Sequence, residues 1–200
     1  TGVTLTITEG VSVFFEGDYY IEIRGTLFAL GTKENVIIID FNRRIERPSG
    51  LMIKLKSNNN ILRFCDIQNG SNGLTFENSS NNEMTNINMI NNDGGNRGYG
   101  VGVYQNWESN NNTWANCLFD NTGLGGGYSI ITNCTFKNII QTNTSMALNP
   151  SLSAGYSTIS KCTFINNDIG IGLASYSEIR ECTFEGNKTG ILSGSGFQNT

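Results

Sequence analysis

An eleven-residue block occurs six times in this 200-residue chain, and its copies align without a gap. The first spans residues 59–69, and others follow at 81–91, 111–121, 128–138 and 156–166. The sixth starts at Tyr176 and reads as ending one residue late, at Asn187. The fourth position is large and apolar throughout: Leu62, Met84, Trp114, Ile131, Ile159, Ile179. The seventh holds Cys65, Ile87, Cys117, Cys134, Cys162 and Cys182, and the ninth Ile67, Met89, Phe119, Phe136, Phe164 and Phe184. Segments of 11, 19, 6, 17 and 9 residues separate the copies. Constant block and variable connection together are the signature of a stacked-repeat architecture.

Positions seven and nine are two apart, which is strand periodicity. Positions four and seven differ in parity, so one straight strand cannot bury both. A bend between them removes the conflict and makes each copy two short strands around a corner. The copy closes on an Asn able to take the left-handed conformation. A third strand is expected in the variable part, at 73–76, 100–103, 170–173 and 190–192. The expected fold is all-β: a right-handed parallel β-helix, a solenoid with three strands per rung and roughly nine rungs. The first third fits the same plan, with strand-like runs at 3–7, 11–15, 21–23, 25–32 and 36–39 between turn residues. The chain reads as one domain, 1–200, with N-terminal rungs over 1–57 and the repeat region over 58–200.

The run from Gly2 to Phe41 resembles the opening of secreted right-handed β-helix proteins of bacteria and archaea. The later blocks resemble the NosD-type parallel β-helix repeats of the pectate-lyase-like superfamily. That resemblance implies the fold and an extracellular or cell-surface location. It leaves function open, because the superfamily holds lyases, hydrolases, tail spikes, adhesins and proteins without known activity. Such proteins usually carry an extra strand before the 2–7 run, so its absence implies a processed product or a piece of something longer.

Charge is sparse, 13 basic against 17 acidic residues, with no basic stripe to hold nucleic acid. No apolar run is long enough for membrane insertion. Asn makes up 29 of the 200 residues, partly through the recurring eleventh position, where stacked amides can bond along the rod. Six Asn-X-Ser/Thr triplets, at Asn69, Asn78, Asn111, Asn133, Asn143 and Asn187, are candidate N-glycosylation sites. Cys117, Cys134, Cys162 and Cys182 share a column with Ile87 and read as a buried, reduced ladder filling the core. With no CxxC pair and no His, no metal site and no cofactor is expected.

The lack of His also excludes Ser-His and Cys-His nucleophile systems. Glycosidases on this scaffold need close carboxylate pairs, and the outward columns do not stack them. The densest acids, Glu178, Glu181 and Glu185, read as a solvated rim with a Lys161–Glu181 pair. Asp93 and Arg97 share a long segment, but one acid makes no calcium cage. The balance leans away from an enzyme, and no catalytic residue is named.

Two features suit recognition. The long segments 92–110 and 139–155 should project on one side and wall a cleft, the first carrying Tyr99, Tyr104, Trp107 and Glu108. The alternative is that Tyr104 and Trp107 cover the core. The first column of the repeat ends in Tyr128, Tyr156 and Tyr176, which would stack at strand spacing. An exposed stack would suit sugar rings or a protein partner; a buried one would merely shield a corner. Thr135, Thr163 and Thr183 form a short Thr column, which brings in ice binding as a further alternative. The reading is a non-catalytic extracellular structural or adhesive module, able to build fibres by head-to-tail self-assembly because neither end carries a capping helix. The rival is a carbohydrate-active enzyme or carbohydrate-binding module on the long-loop side, with glycans as partners.

Overall fold

A computed structural model describes residues 2–17, 19–41, 52–92, 102–106, 108–125, 127–140, 152–173 and 176–193. These residues form strands and connections, with no helix among them. In the first third β1 (Thr4–Thr8), β2 (Ser12–Phe14), β3 (Tyr20–Ile23), β4 (Thr26–Leu30) and β5 (Ile37–Asp40) fall close to the expected runs, and β6 (Met52–Leu55) is a strand that the sequence reading did not name.

In the first two copies one strand runs through the bend: β7 (Ile61–Gln68) and β9 (Glu83–Ile90). In the other four the bend splits it. The pairs are β11 (Asn112–Ala115) with β12 (Leu118–Asp120), β14 (Ser129–Thr132) with β15 (Thr135–Lys137), β17 (Thr158–Ser160) with β18 (Thr163–Ile165), and β20 (Glu178–Arg180) with β21 (Thr183–Glu185). The variable parts supply β8 (Gly73–Phe76), β10 (Val103–Gln105), β13 (Leu124–Gly125), β16 (Leu152–Ala154), β19 (Ile169–Leu173) and β22 (Thr189–Ser193). β13 and β16 are too short to register as sequence patterns, and β10 sits later than the expected 100–103.

All the strand pairs are parallel, and each repeat strand pairs with its equivalents in the neighbouring copies. One sheet holds 14 strands and the other, from β3 to β22, holds eight. Trp114 lies in register with Met84 and Ile131, and Phe136 with Phe119 and Phe164, so the apolar columns superimpose.

The parity conflict is resolved at the sixth position. Phe64, Asn86, Asn116, Asn133, Lys161 and Glu181 all have φ between 48° and 56°. That single left-handed residue turns the chain so that positions four and seven both face inward. The first position is left-handed in all six copies too, and the eleventh holds Asn69, Asn91, Asn121, Asn138, Asn166 and Gly186 in the same conformation. Gly186 therefore ends the sixth copy in register, and Asn187 is the residue after the corner, equivalent to Asn167.

Leu62, Met84, Trp114, Ile131 and Ile159 are buried, as are Ile67, Met89, Phe119, Phe136 and Phe164. Ile179 and Phe184, in the last copy, are half-buried. All five cysteines are free thiols; Cys65, Cys117, Cys134 and Cys162 are buried, and Cys182 is half-buried because no described copy covers it. Trp114 is fully buried, and its indole N–H finds no acceptor among the described residues; we have no physical account of that.

The Asn abundance has a second explanation. Asn60, Asn82 and Asn112, beside the first corner, are buried and linked in a chain. The Asn60 backbone N–H and its Nδ2 donate to Asn82 Oδ1 at 2.9 and 2.7 Å, and those of Asn82 donate to Asn112 Oδ1 at 3.0 and 2.7 Å. Ser continues the column, with Ser129 N–H donating to Ser157 Oγ. A second chain follows the eleventh position: Asn167 N–H donates to Asn187 Oδ1, and Asn167 Nδ2 to the Phe136 carbonyl. The side chains thus satisfy backbone groups that the corners leave outside the ladders. The eleventh-position amides link less regularly: Asn121 Nδ2 donates to Asn91 Oδ1, but Asn69 and Asn138 donate to Asp40 and Asp120.

The thiols make the simplest solution test of this core. Cys65 Sγ lies 3.3 Å from the Arg63 carbonyl, and burial pushes its thiol up from 9.0 to about 12. Shared hydrogen bonds with Cys117 and Cys162, and then burial, push Cys134 up as well. A thiol raised on folding stabilises the fold fully below its unfolded value and loses that contribution as pH rises through the folded one. Stability should therefore decline between pH 9 and 12, and Cys65→Ala should flatten the decline. Alkaline denaturation followed by circular dichroism checks this; an equal slope in the variant would mean that another group controls it.

Candidate binding faces

Tyr128, Tyr156 and Tyr176 stand on the left-handed first position, with φ of 56°, 52° and 62°. Their rings stack: centroids are 4.9 Å apart at 1° between Tyr128 and Tyr156, and 5.1 Å apart at 25° between Tyr156 and Tyr176. All three are exposed, by 42%, 52% and 61%. The inner ring faces cover one another, so the row presents its edges and hydroxyls to solvent. Ile130, 51% exposed, flanks it from the next strand.

Tyr104 is also exposed, but it stands on β10 in the eight-stranded sheet, paired with Thr75 and Gly125, outside this stack. Tyr99, Trp107, Asp93, Arg97 and Asn143 lie outside the described residues, and so does most of the expected long-loop cleft. Among the sequons, Asn78, Asn111 and Asn133 are exposed. Asn187 Nδ2 donates to the Phe164 carbonyl and Asn69 Nδ2 to Asp40, so both amides are engaged.

Glu178, Glu181 and Glu185 are exposed, as expected of a solvated rim, but the expected Lys161–Glu181 pair does not form among the described residues. Glu178 pairs with Arg180 at 3.2 Å, while Lys161 and Glu181 occupy successive left-handed corners without an ion pair between them. At a corner the side chain leaves the rod at an angle that the flat-strand picture does not foresee.

A groove of about 270 Å³ went unnoticed in the sequence. It is lined by Lys33, Val36, Phe64, Asp66, Asn86, Asn88 and Asn116. One wall is the sixth-position corner column and the other is the turn after β4. Phe64 was hidden because nothing in residue type marks a left-handed Phe; the signal available was that its column otherwise holds Asn, Lys and Glu.

A family model described as Periplasmic copper-binding protein (NosD) matches residues 29–200. The chain belongs to the NosD family. No curated protein matches it. Among solved structures, a protein from Parabacteroides merdae provisionally described as a glycosyl hydrolase shares 10% identity, over 99% of this chain and 83% of that one, at a TM-score of 0.24. A likeness at that score carries no argument.

The NosD description speaks of copper, and the donors among the described residues do not fit it. Protein copper sites draw chiefly on neutral imidazole, deprotonated thiol and thioether, and of the thioethers Met84 and Met89 are fully buried in the core. The chain has no His. Its thiols point at backbone carbonyls; burial pushes Cys65 up, and the bonds that push Cys134 up push its buried neighbour Cys162 down, so that shift belongs to a thiol row inside the core and not to an open ligand. Among the described residues no three His, Cys, Asp or Glu side chains group as a metal site.

Proposed function

We propose that this chain is a non-catalytic binding module working outside the cytoplasm, a right-handed parallel β-helix with three strands per turn that holds an extended glycan along its tyrosine row. The parallel pairing of each strand with its equivalent in the next copy supports the coil, and the periplasmic description of the NosD family supports the location. Asp66 is the one acid lining the groove, and its carboxylate is tied to Asn88, so paired acid–base chemistry has no support there.

The tyrosines carry the reading. A left-handed corner costs an ordinary side chain roughly 1–2 kcal/mol and an Asn less. Each stacked ring pair returns about 0.5–1.5 kcal/mol. Three such corners cost about 3–6 kcal/mol against about 1–3 kcal/mol from the two ring pairs, so stacking alone does not account for the row, and the first three copies make the same corner with Asn59, Asn81 and Asn111. Its distinctive product is a line of exposed phenols repeating at about the length of one sugar in an extended β-1,4-linked chain. Edge C–H groups and hydroxyls can meet successive sugars in step.

Tyr156→Asn restores the corner residue of the early copies. It should change stability by less than about 1 kcal/mol while removing retention on insoluble glycans such as cellulose or chitin. Pull-down and thermal melts read the two effects separately; unchanged retention, or no retention by the parent chain, would sink the reading. A second reading, end-to-end pairing of copies, draws on Val3, Leu5 and Phe14, exposed by 77%, 42% and 63% on and beside β1 and β2. Light scattering against concentration tests it.

A further inference from the structure

The groove beside Phe64 lies at a different corner from the tyrosines, and its side chains converge in a way the fold does not require. Phe64 adopts φ 48°, which is unfavourable for a bulky side chain. Its ring is half-buried and stacks on no other ring among the described residues. Asp66 Oδ1 accepts from Asn88 Nδ2 at 2.7 Å, which orients the carboxylate and leaves its second oxygen open. Asn116 Oδ1 accepts from Asn133 Nδ2 at 2.6 Å, which leaves the Asn116 Nδ2 hydrogens open among the described residues. Among the described residues, Asn86 and Lys33, on opposite walls, make no hydrogen bond or ion pair through their side chains.

The walls are rigid. The turn after β4 closes on itself, with Thr32 N–H donating to the Asn35 carbonyl and Asn35 N–H to Thr32 Oγ1, both at 3.1 Å. Gly10 N–H donates to the same Asn35 carbonyl. Gly31 N–H donates to the Arg63 carbonyl at 2.9 Å, and a Cβ at Gly31 would come within 2.3 Å of the Phe64 carbonyl. Glycine thus brings the turn against the corner column and forms the groove.

We propose that this groove binds one neutral pyranose unit, packed on the Phe64 ring and hydrogen-bonded by Lys33, Asp66, Asn86 and Asn116. The volume of about 270 Å³ falls just below the range of roughly 300–1,000 Å³ for drug-sized ligands and suits a single sugar. An open acceptor facing open donors across an aromatic platform is what hydroxyls alternating with C–H groups need. Lys33 and Asp66 offset each other: a uronate would meet Asp66 and an amino sugar would meet Lys33, each unfavourably. This site extends the glycan-binding reading but does not depend on the tyrosine row.

The test is NMR titration of the ¹⁵N-labelled full chain with methyl β-D-glucopyranoside, methyl α-D-mannopyranoside, methyl β-D-galactopyranoside and sodium glucuronate. At least one neutral glycoside should shift resonances of residues 31–36, 64–66, 86–88 and 116, and glucuronate should bind more weakly. Phe64→Asn installs the residue used elsewhere in the column, so its melting temperature should hold or rise while affinity falls about tenfold. Tyr156→Asn should leave these shifts unchanged, which separates this site from the tyrosine row. No shift at these residues with any neutral glycoside, tighter binding of glucuronate, or equal affinity in Phe64→Asn would overturn the proposal. A Phe64→Asn protein that folds but melts lower would also overturn it, because Phe64 would then be serving the fold.

Discussion

Phe136→Ala should destabilise the protein by about 3–5 kcal/mol, the largest loss expected from any single substitution considered for this rod. Phe136 is fully buried between two parallel rings, 4.5 Å from Phe119 at 3° and 5.0 Å from Phe164 at 6°. Truncation removes both stacks and opens a cavity bounded by rings whose own strands are locked in register. The backbone cannot close that gap without breaking parallel ladders on both sides, so little relaxation will offset the loss. Phe184→Ala removes the same side chain where one face is already half-open, and should cost clearly less. Phe136→Leu keeps most of the volume and should cost under about 1.5 kcal/mol. Urea denaturation with a common m-value measures all three. Equal losses at Phe136 and Phe184 would show that burial depth along the rod does not govern its stability.

The second large effect should come from a polar side chain. Asn82→Ala should cost about 2–4 kcal/mol, although it removes almost no apolar surface. Asn82 Oδ1 is the acceptor for the buried Asn60 N–H, and Asn82 Nδ2 donates to Ser79 Oγ at 2.9 Å and Asn112 Oδ1 at 2.7 Å. Alanine strands the Asn60 N–H in the interior, where an unmet donor costs about 1–3 kcal/mol by itself. The protein contains its own control, because copies four to six use Ser in this column and Ser157 Oγ accepts from Ser129 N–H at 3.1 Å. Asn82→Ser should therefore recover part of the loss. If Ser and Ala are equally damaging, the chain of side-chain bonds is not what stabilises the corner.

Much of the parallel strand stacking was legible from residue type. The fourth, seventh and ninth columns are apolar in every copy because they line one continuous core, and period two separates strand from helix at once. The eleventh-position corner was legible because Asn tolerates left-handed backbone. The sixth-position corner was only half legible: parity demanded a bend, but Phe64, Lys161 and Glu181 hide it, since backbone pairing on both sides can impose a conformation that the side chain does not favour. The buried Asn and Ser columns were missed for another reason. A polar residue reads as exposed or as a turn, and only the bonds to neighbouring copies reveal that it is interior. Their signal was in the text, in the recurrence of Asn60, Asn82 and Asn112 one residue after a corner. The tyrosine stack followed from the repeat alone. The groove did not, because it joins a turn near residue 33 to corners some 30 to 80 residues later.

The left-handed corners also bear on how such a surface can change over generations. Corner geometry is fixed by backbone and by copy-to-copy bonding, so a connecting segment has only to leave one corner and reach the next. Between copies three and four that takes 6 residues, and between four and five it takes 17. Closing the longer loop costs only about 0.9 kcal/mol more in chain entropy, less than one misplaced core methylene can cost. Selection can therefore lengthen, shorten or exchange whole segments at nearly constant stability, while drift in the columns is held tightly. The stacked strands behave as a spine carrying interchangeable text, and novelty in descendants of this chain should accumulate in length before it accumulates in composition.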